Sequence, residues 1–134
     1  MSSTDSDIFS NKRLWAGRIM SGLPALFLLA DGTMKLFKPD VVVEGTIQLG
    51  YPESAIVGMG LALLASTVFF IVPRTAILGA VLLTGYLGGA VATHVRVGGG
   101  PLDIILPALL GALLWGGLWL RDRRLRNLFP LREL

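Results

Sequence analysis

His94, Asp31, Lys35, Tyr86, Thr93, Arg96 and Asp103, with Gly89 among them, are the residues whose types and spacing can do chemistry in this chain. His94 is the only histidine. An imidazole exchanges protons near neutral pH, hydrogen-bonds a carbonyl such as that of a quinone, or ligates a metal. Asp31 or Asp103 beside it would hold it in one tautomer, which makes His94 and Asp31 the candidate catalytic pair. An interfacial histidine satisfied by backbone carbonyls or headgroups is the plain alternative. Asp31 and Lys35 are four residues apart and so share one helix face. They form either a pair that orients a ligand and relays a proton, or a salt bridge at a helix end with Lys35 reaching towards the headgroups. Tyr86, Ala90 and Thr93 make a strip on one helix face with His94 at its edge. A ring and a hydroxyl beside Gly89 could hold a flat, amphipathic molecule; a tyrosine bonded to a neighbouring helix is the equally simple reading. Lys35, Tyr86, Gly89, Thr93, Arg96 and Asp103 are therefore the candidate ligand-binding residues. A zinc site would have one nitrogen ligand and only carboxylates besides, so no metal site is expected.

Composition narrows the chemistry further. The chain of 134 residues has no cysteine, which excludes disulfides, thiolate metal sites, iron–sulfur clusters and dithiol chemistry. One histidine excludes a bis-histidine haem within one subunit, and no flavin motif is present. The chain is basic, with a formal charge of +3, yet its basic residues cluster beside apolar spans. Membrane topology accounts for them better than a nucleic-acid-binding face does, and no nucleic-acid partner is expected.

These residues must be positioned by helices in a bilayer. The chain is 53% hydrophobic and 16% charged, with mean hydropathy +0.68, and its charge falls between apolar runs. Four spans are read, at about 14–30, 54–72, 75–93 and 101–120. Nineteen helical residues reach about 28 Å, close to the hydrocarbon thickness. The expected architecture is an all-α integral membrane protein, a four-transmembrane-helix bundle. Residues 1–13 form a polar N-terminus, 14–126 the membrane domain and 127–134 a C-terminal tail. The N-terminus lacks the basic start and cleavage site of a signal peptide, so the first span is expected to stay as an uncleaved anchor.

Lys12, Arg13, Arg18, Arg74, Arg121, Arg123, Arg124, Arg126 and Arg132 share one side of such a bundle, against Lys35, Lys38 and Arg96 on the other. The positive-inside rule then places both termini in the cytoplasm of a bacterial-type plasma membrane. Trp15, Trp115 and Trp119 fall near the cytoplasmic ends, where indole rings settle as anchors. The connection 32–53 is long, and Val41–Leu49 within it is expected to be a short interfacial helix. Three consecutive valines weaken that expectation, but a lone strand would leave backbone groups unpaired. The basic segment Arg121–Leu134, with Leu125, Leu128, Phe129 and Leu131, is expected to extend the fourth helix and rest on headgroups. Small residues recur four apart in every span. The third has them on two faces, Ala76-Ala80-Thr84-Gly88-Ala92 and Gly85-Gly89-Thr93, which predicts that it lies at the centre of the bundle.

Asp31-Gly32 with Lys35-Leu36, Leu49-Gly50-Tyr51-Pro52, and Leu78-Gly79-Ala80 leading into Gly85–Arg96 resemble the DoxX-like family of small four-helix membrane proteins, from about Leu14 to Arg126. The resemblance implies a membrane subunit of a redox complex such as a thiosulfate:quinone oxidoreductase, or a chaperone-like partner of other membrane proteins. It brings no agreed catalytic residues. The expected function is thus a membrane subunit that binds a quinone-like or lipid-like molecule in the outer half of the bundle, contacts the lipid bilayer, and takes electrons from a redox partner. A non-catalytic assembly factor or scaffold docking through its small-residue faces, with a homodimer as one form, is the rival. A stand-alone enzyme acting on an isoprenoid or epoxide is a third reading, so whether the chain is an enzyme stays open at this point.

Overall fold

Prolines mark where four of the helices begin. Pro39 precedes the helix Asp40–Gln48, Pro52 precedes the 3-10 turn Glu53–Ala55, Pro73 opens the turn Pro73–Thr75, and Pro101 starts a helix behind Gly100. A proline lacks the N–H that a first turn leaves unpaired, and its fixed φ suits a helix start. The computed structural model describes residues 3–130; Leu131 and Arg132, expected in the basic tail, lie outside them. The chain runs α1 (Ser3–Phe37), α2 (Asp40–Gln48), α3 (Ile56–Ile71), α4 (Ala76–Arg96), α5 (Pro101–Arg121) and α6 (Arg123–Leu128). Among the described residues there is no strand.

Four helical segments are long and apolar enough to cross a membrane: Ser3–Phe37, Glu53–Ile71, Pro73–Arg96 and Pro101–Arg121. They form a ring. α1 packs against α3 and α5, and α4 packs against the same two, so α1 and α4 face each other across a diagonal. Ala25, Leu28, Leu63, Phe70, Leu83, Leu87, Leu114 and Leu118 fill the interior. The outer faces carry Leu23, Phe27, Val68, Val81, Leu102, Ile105 and Leu109, all exposed. Apolar side chains facing outward on helices whose backbone bonds are internally satisfied are what lipid, rather than water, accommodates. α1, with 35 residues, is about 52 Å long and exceeds the hydrocarbon core, so its polar N-terminal turns project beyond the bundle.

The small residues do not act where their periodicity pointed. α4 is one member of the ring and not its centre. Ala76, Gly79 and Ala80 are buried, but Gly85, Gly88 and Gly89 have no atom within 4 Å of where a Cβ would stand. Half of the predicted seam therefore faces outward. Apart from Gly79, which abuts the Phe70 backbone, close approaches lie on other helices: a Cβ on Gly17 would come within 2.7 Å of the Gly117 carbonyl oxygen, and one on Gly117 within 2.6 Å of Ser21. These glycines let α1 and α5 meet backbone to backbone, as packing without a hydrophobic driving force requires.

The Val41–Leu49 stretch is helical, as expected, with α2 spanning Asp40–Gln48. Thr46 points inward and is buried, while Val41 and Ile47 are exposed. At the other end the tail does not simply continue α5. Asp122 leaves the helical region at φ −115°, ψ 110°, and its Oδ1 accepts from the N–H groups of Arg124 and Leu125, capping α6. Arg126 Nη1 donates to the carbonyls of Trp119 and Leu120, satisfying the end of α5. Trp119 Nε1 donates to the Phe129 carbonyl, and the Trp115 and Phe129 rings lie 5.9 Å apart. Trp115 also donates to Thr84 Oγ1 at 2.6 Å, so it ties α5 to α4. Trp15 alone of the three indoles is largely exposed, at 60%.

Candidate functional site

The end of the bundle away from the two termini is closed by a polar corner. Gly50 sits at φ 90°, a conformation glycine adopts without strain, and it turns the chain back after α2. That turn brings the Leu49 carbonyl to Arg96, whose Nη2 donates to it at 2.7 Å. A Cβ on Gly50 would stand 3.0 Å from the same guanidinium nitrogen. The next residue, Tyr51, places its hydroxyl 2.8 Å from Thr93 Oγ1. Thr93 donates its own proton to the Gly89 carbonyl at 2.8 Å, so Tyr51 is the donor in the pair. Lys38, itself at φ 53°, pairs with Glu53 at 3.3 Å across the base of the same loop. Tyr51→Phe should cost about 1 kcal/mol, since Thr93 keeps Gly89 as acceptor and no donor is stranded. Hydrogen exchange should locate the effect, with Leu49–Glu53 amides exchanging several-fold faster and α5 amides unchanged.

Asp31 and Lys35, on the last turns of α1, form an ion pair at 2.7 Å. The Lys35 side chain is only 13% exposed and that of Asp31 38%, so the pair is not a fully solvated surface contact. Across the diagonal stands Tyr86 of α4, half-buried against the core, within electrostatic reach of both Asp31 and Tyr51. Three separate contacts are made at this end, Asp31 with Lys35, Tyr51 with Thr93 and Arg96 with the Leu49 carbonyl, and Tyr86 lies within electrostatic reach of the first two.

The other candidates stand apart from these contacts. His94 follows Thr93 by about 100° around the helix. It is half-buried against the glycine turn after α4, where its carbonyl accepts from the Gly99 N–H at 2.8 Å. A Cβ on Gly99 would lie 3.5 Å from His94 Nδ1. Asp103 is exposed in the first turn of α5. Among the described residues no hydrogen bond joins the His94 ring to Asp31 or Asp103, and no three of the histidine and carboxylate side chains cluster as a metal site would. Gly89 lends its carbonyl to Thr93 but is itself exposed. Tyr51, which residue type and spacing do not single out, enters the corner through the Leu49-Gly50-Tyr51-Pro52 stretch, where the Gly50 turn aims it at α4.

A ring of four apolar helices with charge confined to its two ends defines a small polytopic integral membrane protein in contact with lipid. The chain belongs to the DoxX-like family, whose model matches residues 19–117. The match takes in the whole polar corner and stops short of the projecting start of α1 and of the tail. No curated protein and no solved structure matches the chain.

Proposed function

We propose that this DoxX-like protein is a membrane subunit of a redox complex, and that it binds a quinone-like or lipid-like molecule at the polar corner. The observation that carries the reading is the part-buried Asp31–Lys35 ion pair at the far end of α1, with Tyr86 of α4 within electrostatic reach of Asp31. Ionisable groups at membrane depth are costly and are kept mainly where they serve a ligand or a proton path. The basic residues at the end with the termini support a reading in which that end is cytoplasmic and the corner lies in the outer half of the bilayer.

A bound quinone supplies two-electron, two-proton chemistry, with the electrons delivered by the partner enzyme. The residues of this chain hold and move the protons. Lys35 fixes the Asp31 carboxylate through their ion pair, Tyr86 offers its hydroxyl to a ring carbonyl, and His94, further along α4, is the group of the type that passes protons on.

Gentle purification into nanodiscs, followed by mass spectrometry of what co-purifies, tests this. A stoichiometric quinone or isoprenoid, lost from Asp31→Asn, is the expected result. Bulk phospholipid alone, accompanied by a defined protein partner, would replace it with the scaffold reading. That rival draws on one observation, the open face of α4 at Gly85, Gly88 and Gly89. There Gly89→Leu should abolish the complex and His94→Ala leave it intact.

A further inference from the structure

The opposite end of the bundle holds a recess whose chemistry differs from that of the polar corner. It has a volume of about 350 Å³ and is lined by Arg18 of α1, Arg121 at the end of α5, and Arg123 and Arg124 at the start of α6. Asp122 is the one acidic residue in the lining, and its Oδ1 is already committed to two backbone N–H groups. Four arginines thus line one recess with a single carboxylate, of which Oδ1 is engaged by the backbone.

Arg121 is the least satisfied of them. Its Nε is shielded from solvent and has no hydrogen-bond partner among the described residues. Its guanidinium lies over the Phe70 ring, 5.3 Å from the centroid, which orients the plane but accepts no N–H. The neighbouring Asp122 attracts it and Arg18, to a smaller extent, repels it, and Arg18 itself lies over the Trp15 ring at 5.2 Å. Stacking fixes both guanidinium planes while leaving their N–H edges free. A planar fork held this way matches the paired oxygens of a phosphate, and an anion would also relieve the like-charge repulsion.

We propose that this recess binds a phosphate group, carried either by an anionic lipid headgroup or by free phosphate. Its position at the membrane-facing end of the helices, beside the exposed Trp15 ring, puts it at headgroup depth. The four arginines lie outside residues 19–117, whereas Pro73 and Ala76, which complete the lining, lie within the family match. The recess is independent of the polar corner and of any quinone there.

The test uses the full chain in neutral detergent, titrated with phosphatidylglycerol or phosphatidylcholine and read by native mass spectrometry. Thermal unfolding is measured in parallel with inorganic phosphate or chloride at equal ionic strength. Phosphatidylglycerol should bind more tightly than phosphatidylcholine, and Arg18→Gln with Arg121→Gln should weaken it at least about tenfold. Because loss of Arg121 could unsettle Phe70, the exposed pair Arg123→Gln with Arg124→Gln is measured as well and should weaken binding in the same direction. Lys12→Gln with Arg13→Gln removes the same charge from the projecting part of α1 and should have little effect. Stabilisation by inorganic phosphate that also displaces the lipid assigns the site to free phosphate; preference for the lipid without such competition assigns it to the headgroup. Equal affinity for the two lipids with no response to phosphate would overturn the proposal, as would a control variant that weakens binding as much as the recess variants do.

Discussion

Gly79→Ala is expected to destroy the assembled bundle, although it adds a single methyl group. The new Cβ would overlap the backbone nitrogen and Cα of Phe70 and crowd the carbonyl carbon of Phe69. These are main-chain atoms near the end of α3, so no rotamer change can make room. Relief requires α3 and α4 to separate at the tight Pro73–Thr75 turn that joins them. Phe70 is 1% exposed and stacks beneath Arg121, so such a movement disturbs the interior and the arginine recess together. Overpacking with flexible neighbours costs about 1–3 kcal/mol; a backbone obstacle should exceed about 3 kcal/mol. Gly88→Ala is the matched control, because nothing lies within 4 Å of its added Cβ and alanine is the better helix former by about 1 kcal/mol. Unfolding in detergent micelles should show Gly79→Ala aggregated or strongly destabilised and Gly88→Ala equal to wild type or slightly better. If Gly79→Ala unfolds like wild type, α3 and α4 do not meet there.

The contrast between those two glycines shows what the sequence could and could not convey. Hydropathy and length are local properties, and they made four helices and an all-α membrane bundle legible. The i, i+4 spacing of Asp31 and Lys35 is also local, and the ion pair it suggested is present. A row of small residues is local too, but whether it faces a helix or lipid depends on partners far away in the chain. Gly79 meets Phe70, Gly17 meets Gly117, and Gly85 meets nothing, while all three look alike along the sequence. Hence α4 could be recognised as rich in close-packing residues and still be misplaced at the centre.

The same limit governed the candidate site. Tyr51 and Thr93 are 42 residues apart, and their bond exists only because Gly50 takes a positive φ and turns the loop back over α4. The tail followed suit: the basic residues of Arg121–Leu134 were visible as a group, but the break at Asp122 and the return of Phe129 to Trp119 depend on capping bonds that composition does not reveal. Charge segregation to the two ends of the bundle was readable. Which charges converge was not.

Asp31→Asn should be the most damaging single change at the polar corner, and pairing it with Lys35→Met should separate stability from binding. The mutation leaves the 13%-exposed Lys35 side chain holding a charge with no carboxylate opposite. Breaking a buried pair costs about 3–5 kcal/mol, whereas a fully exposed pair contributes less than about 1 kcal/mol. Asp31 is more than a third exposed and Lys35 can extend towards the headgroups, so a loss of about 2 kcal/mol is expected for Asp31→Asn. Lys35→Met alone should cost less, because the carboxylate it leaves behind is the more solvated partner. The double variant removes both charges and keeps the volume of each side chain, so it should regain most of the lost stability. Chemical unfolding in micelles measures all three. If the pair were only structural, the double variant would regain ligand retention along with stability. If Asp31 holds a ligand or its proton, stability should return while the co-purifying molecule stays absent, because asparagine can neither carry the charge nor accept the proton.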